Sequence, residues 1–159
     1  MRLPIVTVLL VMTLCACTGR RHARQDVGGR LSKISDALVA SAVGRIEFFS
    51  IPDTSDYRIP VTATLLRTAC DCELTLNAET YERKKLDLAQ TMIDTESVQV
   101  SEQIEDVRTG VVFYTTHGDI LSEIYFAKKG DLASIDGVVV RLRGPLRDKV
   151  RSLATLCEH

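Results

Sequence analysis

"GVVFYTTHGDILSEIYFAKKGDLASIDGVVVRLR", residues 110–143, contains three runs in which apolar side chains recur at every second position. Successive side chains of a strand point to opposite faces, so each run can bury one face and leave the other to water or a partner. Val111 and Phe113 share a face in the first run, Ile124 and Phe126 in the second, and Val138, Val140 and Leu142 in the third. Turn signals break the runs: "HGD" at 117–119, and Asp136–Gly137, a dipeptide suited to the positive φ of a tight hairpin. Antiparallel strands with one wholly apolar face predict a sheet packed against helices.

The flanking sequence supplies those helices. "GPLRDKVRSLATL", 144–156, opens on a proline suited to a first helical turn and lines Leu146, Val150, Leu153 and Leu156 along one side. "NAETYERKKLDLAQTMI", 77–93, has strong helix formers and no breaker, with Tyr81, Leu86, Ala89 and Ile93 roughly on one side. "DTESVQVSEQIED", 94–106, reads as a connector with a short strand at Val98–Val100. "CDCELTL", 70–76, alternates as a half-buried strand, with Cys70, Cys72, Leu74 and Leu76 on one face. Thr62 is a candidate N-cap for a short helix over 63–69. "RIEFFSIP", 45–52, reads as a strand ended by Pro52, and "DTSDYR" as the turn after it. Leu31, Ile34, Leu38 and Ala42 step along one helical face, with Gly44 as the stop. The expected fold is α+β: one antiparallel sheet of about five strands with helices on one face, in a single domain over 31–159.

The N-terminus has a different character. Arg2 is followed by the apolar run Ile5–Leu14, too short to span a membrane, which takes roughly 20 residues, but of the length of a secretory signal core. The run ends "LCAC", 14–17. This resembles the lipobox of bacterial outer-membrane lipoproteins, with Cys15 and Ala16 as the small residues before the cysteine. The resemblance implies removal of residues 1–16 and acylation of Cys17, palmitate-type chains included. Ordinary secretion with cleavage near Gly19 fits less well, because Cys17 and Gly19 serve poorly as the small residues that cut requires. More than one acyl chain makes anchoring stable where a single chain is marginal. Thr18 stands where an aspartate would retain such a lipoprotein in the inner membrane, so the resemblance implies the inner leaflet of the outer membrane, facing the periplasm. Residues 17–30 form the tether, in which Arg20, Arg21 and Arg24 can lie on anionic headgroups. The body loosely resembles small exported bacterial proteins of unknown function, which implies no activity.

The full chain carries 20 basic and 21 acidic residues, a net charge of −1. Loss of residues 1–16 removes only Arg2, leaving a slight acidic excess that argues against general nucleic-acid binding. No cofactor motif and no nucleophile in a recognisable catalytic setting follows the tether, so no enzyme activity and no cofactor is expected. His117 and Asp119 flank Gly118 and read as turn residues.

An exported chain meets an oxidising compartment, where disulfides form. Cys157 bridged to Cys70 or Cys72 would close a long loop, worth roughly 4 kcal/mol in the chain-entropy account. The same cysteines with His159 are ligands suited in kind to Zn²⁺ or Cu⁺, which supplies the alternative of a metal or redox lipoprotein. The "CxC" spacing is not that of zinc modules, and Asp71 and Glu73 oppose a reactive thiolate.

The second face of the sheet carries Tyr114, Tyr125, Glu123 and Arg141. Tyr and Arg anchor binding hot spots, so Tyr114, Tyr125 and Arg141 are the candidate partner contacts. The alternative is an ordinary solvated sheet face. Toxin-immunity and enzyme-inhibitor lipoproteins have this size and anchoring, and the expected function is a membrane-anchored module that binds another protein.

Overall fold

The computed structural model describes residues 29–52, 59–69, 84–154 and Glu82, together with the backbone of 72–77. Four helices and seven strands are formed among them: α1 (29–39), β1 (Val43–Ser50), α2 (Ala63–Ala69), β2 (Cys72–Asn77), α3 (Lys85–Ile93), β3 (Glu96–Gln99), β4 (Val107–Thr115), β5 (Ile120–Ala127), β6 (Leu132–Ile135), β7 (Val138–Arg143) and α4 (Leu146–Ala154). The strands make one sheet in the order β2-β1-β4-β5-β6-β7-β3, every neighbouring pair antiparallel. No helix among the described residues is long and apolar enough to cross a membrane.

The α+β architecture stands as expected, with seven strands in place of about five. One added strand is β6, whose four residues "LASI" sit between two turns. The other is β3, which pairs with β7 from Glu96 to Gln99, two residues ahead of its expected start. Asp136 (φ 49°) and Gly137 (φ 80°) form the predicted tight hairpin, joining β6 to β7. Two successive positive φ values match the twist of the flanking strands.

The first face of the sheet holds the main core. Ile46, Phe48, Val111, Phe113, Ile124, Phe126, Val140 and Leu142 pack there against Leu31, Ile34 and Leu38 of α1, Leu88, Ala89 and Met92 of α3, and Leu146, Val150 and Leu153 of α4. Every expected inward position of the three C-terminal runs belongs to this cluster, with Val138 packed at its margin. In α3 the buried stripe is Leu88, Ala89 and Met92, while Leu86 and Ile93 are exposed. The apolar residues of this helix offer two stripes, and the Ser35 hydroxyl, donating to the Ala89 carbonyl at 3.1 Å, ties the observed one to α1.

Helix α1 stops before Gly44. Ser41 takes a left-handed φ of 55°, the Ala42 amide donates back to the Ala37 carbonyl at 2.9 Å, and the Ser41 amide to Leu38 at 3.1 Å. These are the paired bonds of a Schellman cap, with serine where glycine is usual. Ala42 is therefore exposed instead of lining the core. Gly44 lies in an irregular step of β1 between Val43 and Arg45, where a Cβ would stand 2.8 Å from the Thr116 Cα. Ser41→Gly should stabilise the domain by about 1 kcal/mol, the usual cost of a left-handed L-residue. The bond it removes, from Lys85 Nζ to Ser41 Oγ, is exposed and contributes little. A urea-unfolding midpoint that does not rise would reject this account of the cap.

Candidate functional site on the second sheet face

Three helices cover the first face; α2 and a crossing strap of chain partly cover the second. Thr62 caps α2 as expected, its hydroxyl accepting the Leu65 amide at 3.2 Å. Leu66 is fully buried and packs with Phe49, Ile51, Val61, Val107, Val112 and Tyr125 in a second, smaller core. The strap exists because β3 and β4 lie on opposite sides of β5, β6 and β7. Residues 100–106 make this crossing: the Val100 amide donates to Val139, Ile104 packs on the second core, and the Asp106 carbonyl accepts from Lys128.

Asp106 fastens the far end of the strap. Its Oδ1 accepts the Val61 amide at 2.9 Å, and its Oδ2 accepts Arg108 Nε at 3.1 Å and Nη2 at 2.9 Å. Arg108 is only 2 % exposed, so this is a buried guanidinium. Burial works against the Asp106 charge, but the Val61 amide and Arg108, with Lys128 behind, outweigh it and hold the carboxyl below its usual range. At the near end Arg141 Nη2 binds both carboxylate oxygens of Glu102, at 2.7 and 2.8 Å.

Between strap, α2 and sheet lies an open groove of about 420 Å³. Its floor is mainly apolar: Val107, Tyr125 and Val139 of the sheet, with Ser134 between the last two, Ile104 of the strap, and Val61 and Ala63 on the α2 side. Thr62, Gln103, Glu105 and Glu123 supply its polar rim, and no Lys, Arg or His lines it.

Beside the groove is a polar cluster. Arg67 reaches from α2 to Glu123 Oε2 at 3.0 Å, with its guanidinium 5.7 Å from the centre of the Tyr125 ring. The Tyr125 hydroxyl donates to the same oxygen at 3.3 Å. Across β4, the Tyr114 hydroxyl donates to Glu47 Oε2 at 2.7 Å, and Arg45 lies 4.2 Å over the Tyr114 ring. Burial, with the Glu123 charge, pushes the Tyr125 phenol up to about 12; burial and Glu47 also raise that of Tyr114. Both phenols are hydrogen-bond donors at neutral pH. Glu47 and Glu123 stand opposite Val112 from its two sides, which puts their backbones about 10 Å apart. Each carboxylate has its own arginine and tyrosine, so the cluster is a matched set of charges suited to recognition and not a shared-proton pair.

The three expected partner contacts have different fates. Tyr114 is half-buried in the cluster. Tyr125 is 4 % exposed beneath α2, which corrects its reading as a surface contact: it forms the groove floor. The side chain of Arg141 is 40 % exposed, but it holds Glu102 of the strap and stands apart from the tyrosines, beyond Val139 on β7. Reasoning from the sequence missed Ile104, Glu105 and Val139; the lone isoleucine in the polar run 101–106 is the signal that a chain segment there touches a core.

His117 and Asp119 sit in the exposed β4–β5 turn, as expected, with the Thr115 hydroxyl accepting both amides. Among the described residues no three metal-type side chains come together. Cys15, Cys17, Cys70, Cys157 and His159 lie outside the described residues, and Cys72 enters only as the first backbone position of β2, opposite Ser50. Comparison with known families, curated proteins and solved structures finds no match to this chain.

Proposed function

We propose that the chain is a lipoprotein, anchored through Cys17 to the inner leaflet of the outer membrane, whose periplasm-facing domain binds another protein in the manner of an immunity or inhibitor lipoprotein. The anchoring rests on the "LCAC" boundary. The observation that carries the binding reading is the groove on the second sheet face: an open apolar floor with a polar rim, the composition of an interface centre rather than of a solvated sheet. The adjoining Tyr114, Arg45 and Arg67 supply side chains of the hot-spot type. The disulfide between Cys157 and Cys70 or Cys72 belongs to the same reading. Helix α4 packs against β1, β4 and β2, and Cys157 follows its last residue by three positions.

A photo-crosslinking residue at Gln103, on the groove rim, tests the binding reading in intact cells. The expected product is one discrete adduct that is missing when the same probe replaces Leu86, exposed on α3 over the other face. Equal labelling from both positions, or none from Gln103, would overturn it. Cys17→Ser should leave an unacylated precursor in the same cells; unchanged mass and fractionation would overturn the anchoring.

A further inference from the structure

We infer that the segment this groove receives is extended and cationic, with apolar and basic side chains in alternation; this rests on the protein-binding reading. The floor takes apolar side chains, since the half-buried Ile104 and Val139 open aliphatic surface there beside the buried Val107 and Tyr125. The rim sets the charge. Glu105 and Glu123 are its charged members, and nothing basic lines the groove. Glu123 is matched by Arg67, while no ion pair to Glu105, which is exposed, is formed among the described residues. The acidic residues at either end of the strap, Glu102 and Asp106, are held by Arg141 and Arg108. The open carboxylate is thus the one at the groove itself, with Lys128 and Lys129 lining the next hollow along the strap and forming no ion pair with it among the described residues. An extended segment lying along the strap turns successive side chains to opposite sides. One set would fill the floor and the other would meet Glu105.

The chain's own basic tether has the charge but not the pattern. "GRRHAR", 19–24, offers only alanine beyond glycine, and Val27, the one larger aliphatic side chain of residues 17–30, stands alone beyond it, so the tether has no alternating apolar set to fill the floor. The occupant is therefore assigned to a partner.

The test uses the intact lipoprotein in detergent and a fluorescent peptide alternating lysine and valine, followed by anisotropy. The peptide should bind, and binding should weaken as salt is raised. Peptides alternating glutamate with valine, or lysine with serine, should bind at least about tenfold more weakly. Glu105→Lys and Val139→Ser should each weaken the lysine–valine peptide by about tenfold or more, with unchanged unfolding midpoints for Glu105→Lys. Equal binding of the glutamate peptide, or indifference to Glu105→Lys, overturns the inference. So does a large gain in affinity when Arg20, Arg21 and Arg24 are all changed to serine, which would make the tether the occupant. If Gln103 crosslinks a partner in cells while the lysine–valine peptide fails to bind, the inference falls and the binding reading stands. If neither occurs, both fall.

Discussion

Replacing Asp106 with alanine is expected to cost the domain roughly 3 kcal/mol, the low end for breaking a buried ion pair by removal of one partner. The low end applies because a quarter of the Asp106 side chain reaches solvent, while that of Arg108 is 3 % exposed. Three bonds go at once: those from Arg108 Nε and Nη2, and that from the Val61 amide. Val61 is fully buried, so its amide would lose its acceptor away from water. Asp106→Asn keeps an acceptor for Val61 and should cost about half as much. The pH dependence has a definite sign. Because the folded state holds the carboxyl below its usual value, the Asp106 contribution is complete above about pH 4 and is lost as pH falls through the lowered folded value. The gap in urea midpoint between the wild type and Asp106→Asn should therefore be wide at pH 7 and narrow towards pH 3. A gap that stays constant would mean that the ionised carboxylate contributes nothing.

The strap shows where a sequence stops being legible. Strands β4, β5 and β7 could be read because each repeats its apolar face for six or more residues, and their inward sets are the observed ones. The four residues of β6 could not, because "GD" and "DG" on either side make "LASI" look like part of a turn. Gly44 misled because glycine serves a helix stop and an irregular strand step equally well, while the true stop is a serine made left-handed by its cap. The alternation of β5 placed Tyr125 correctly on the second face. What covers it depends on α2 and on the return of residues 100–106 across three strands, and that is topology, not local pattern. Arg141 likewise shows no partner within its own strand; Glu102 is brought to it from 39 residues away.

Gly110→Ala is expected to cost about 1–3 kcal/mol, the range for overpacking a filled core, and Gly110→Val more. Gly110 stands opposite Tyr125 in the β4–β5 register, on the face covered by α2. A Cβ there would lie 2.7 Å from Cδ1 and 2.9 Å from Cε1 of the Tyr125 ring, and 3.2 Å from Leu66 Cδ2. The first two distances are closer than carbon atoms tolerate, and the ring cannot retreat freely, because Leu66 covers it and Glu123 holds its hydroxyl. Glycine thus gives the aromatic ring a flat place on the sheet, and the ring in turn makes the groove floor. The substitution should act on the site as well as on stability. A Tyr125 ring lifted off β4 meets more water, so its phenol should ionise below the value of about 12 set by its burial. The wild-type phenol favours the folded state fully below about pH 10 and loses that contribution as pH rises towards 12. Phenolate absorbance followed through an alkaline titration should therefore show one tyrosine ionising earlier in Gly110→Ala than in the wild type, and Tyr125→Phe should remove that step from both. If Gly110→Ala unfolds at the wild-type urea midpoint with its tyrosine titration unchanged, the ring does not depend on the glycine, and the floor of the groove is not built as described.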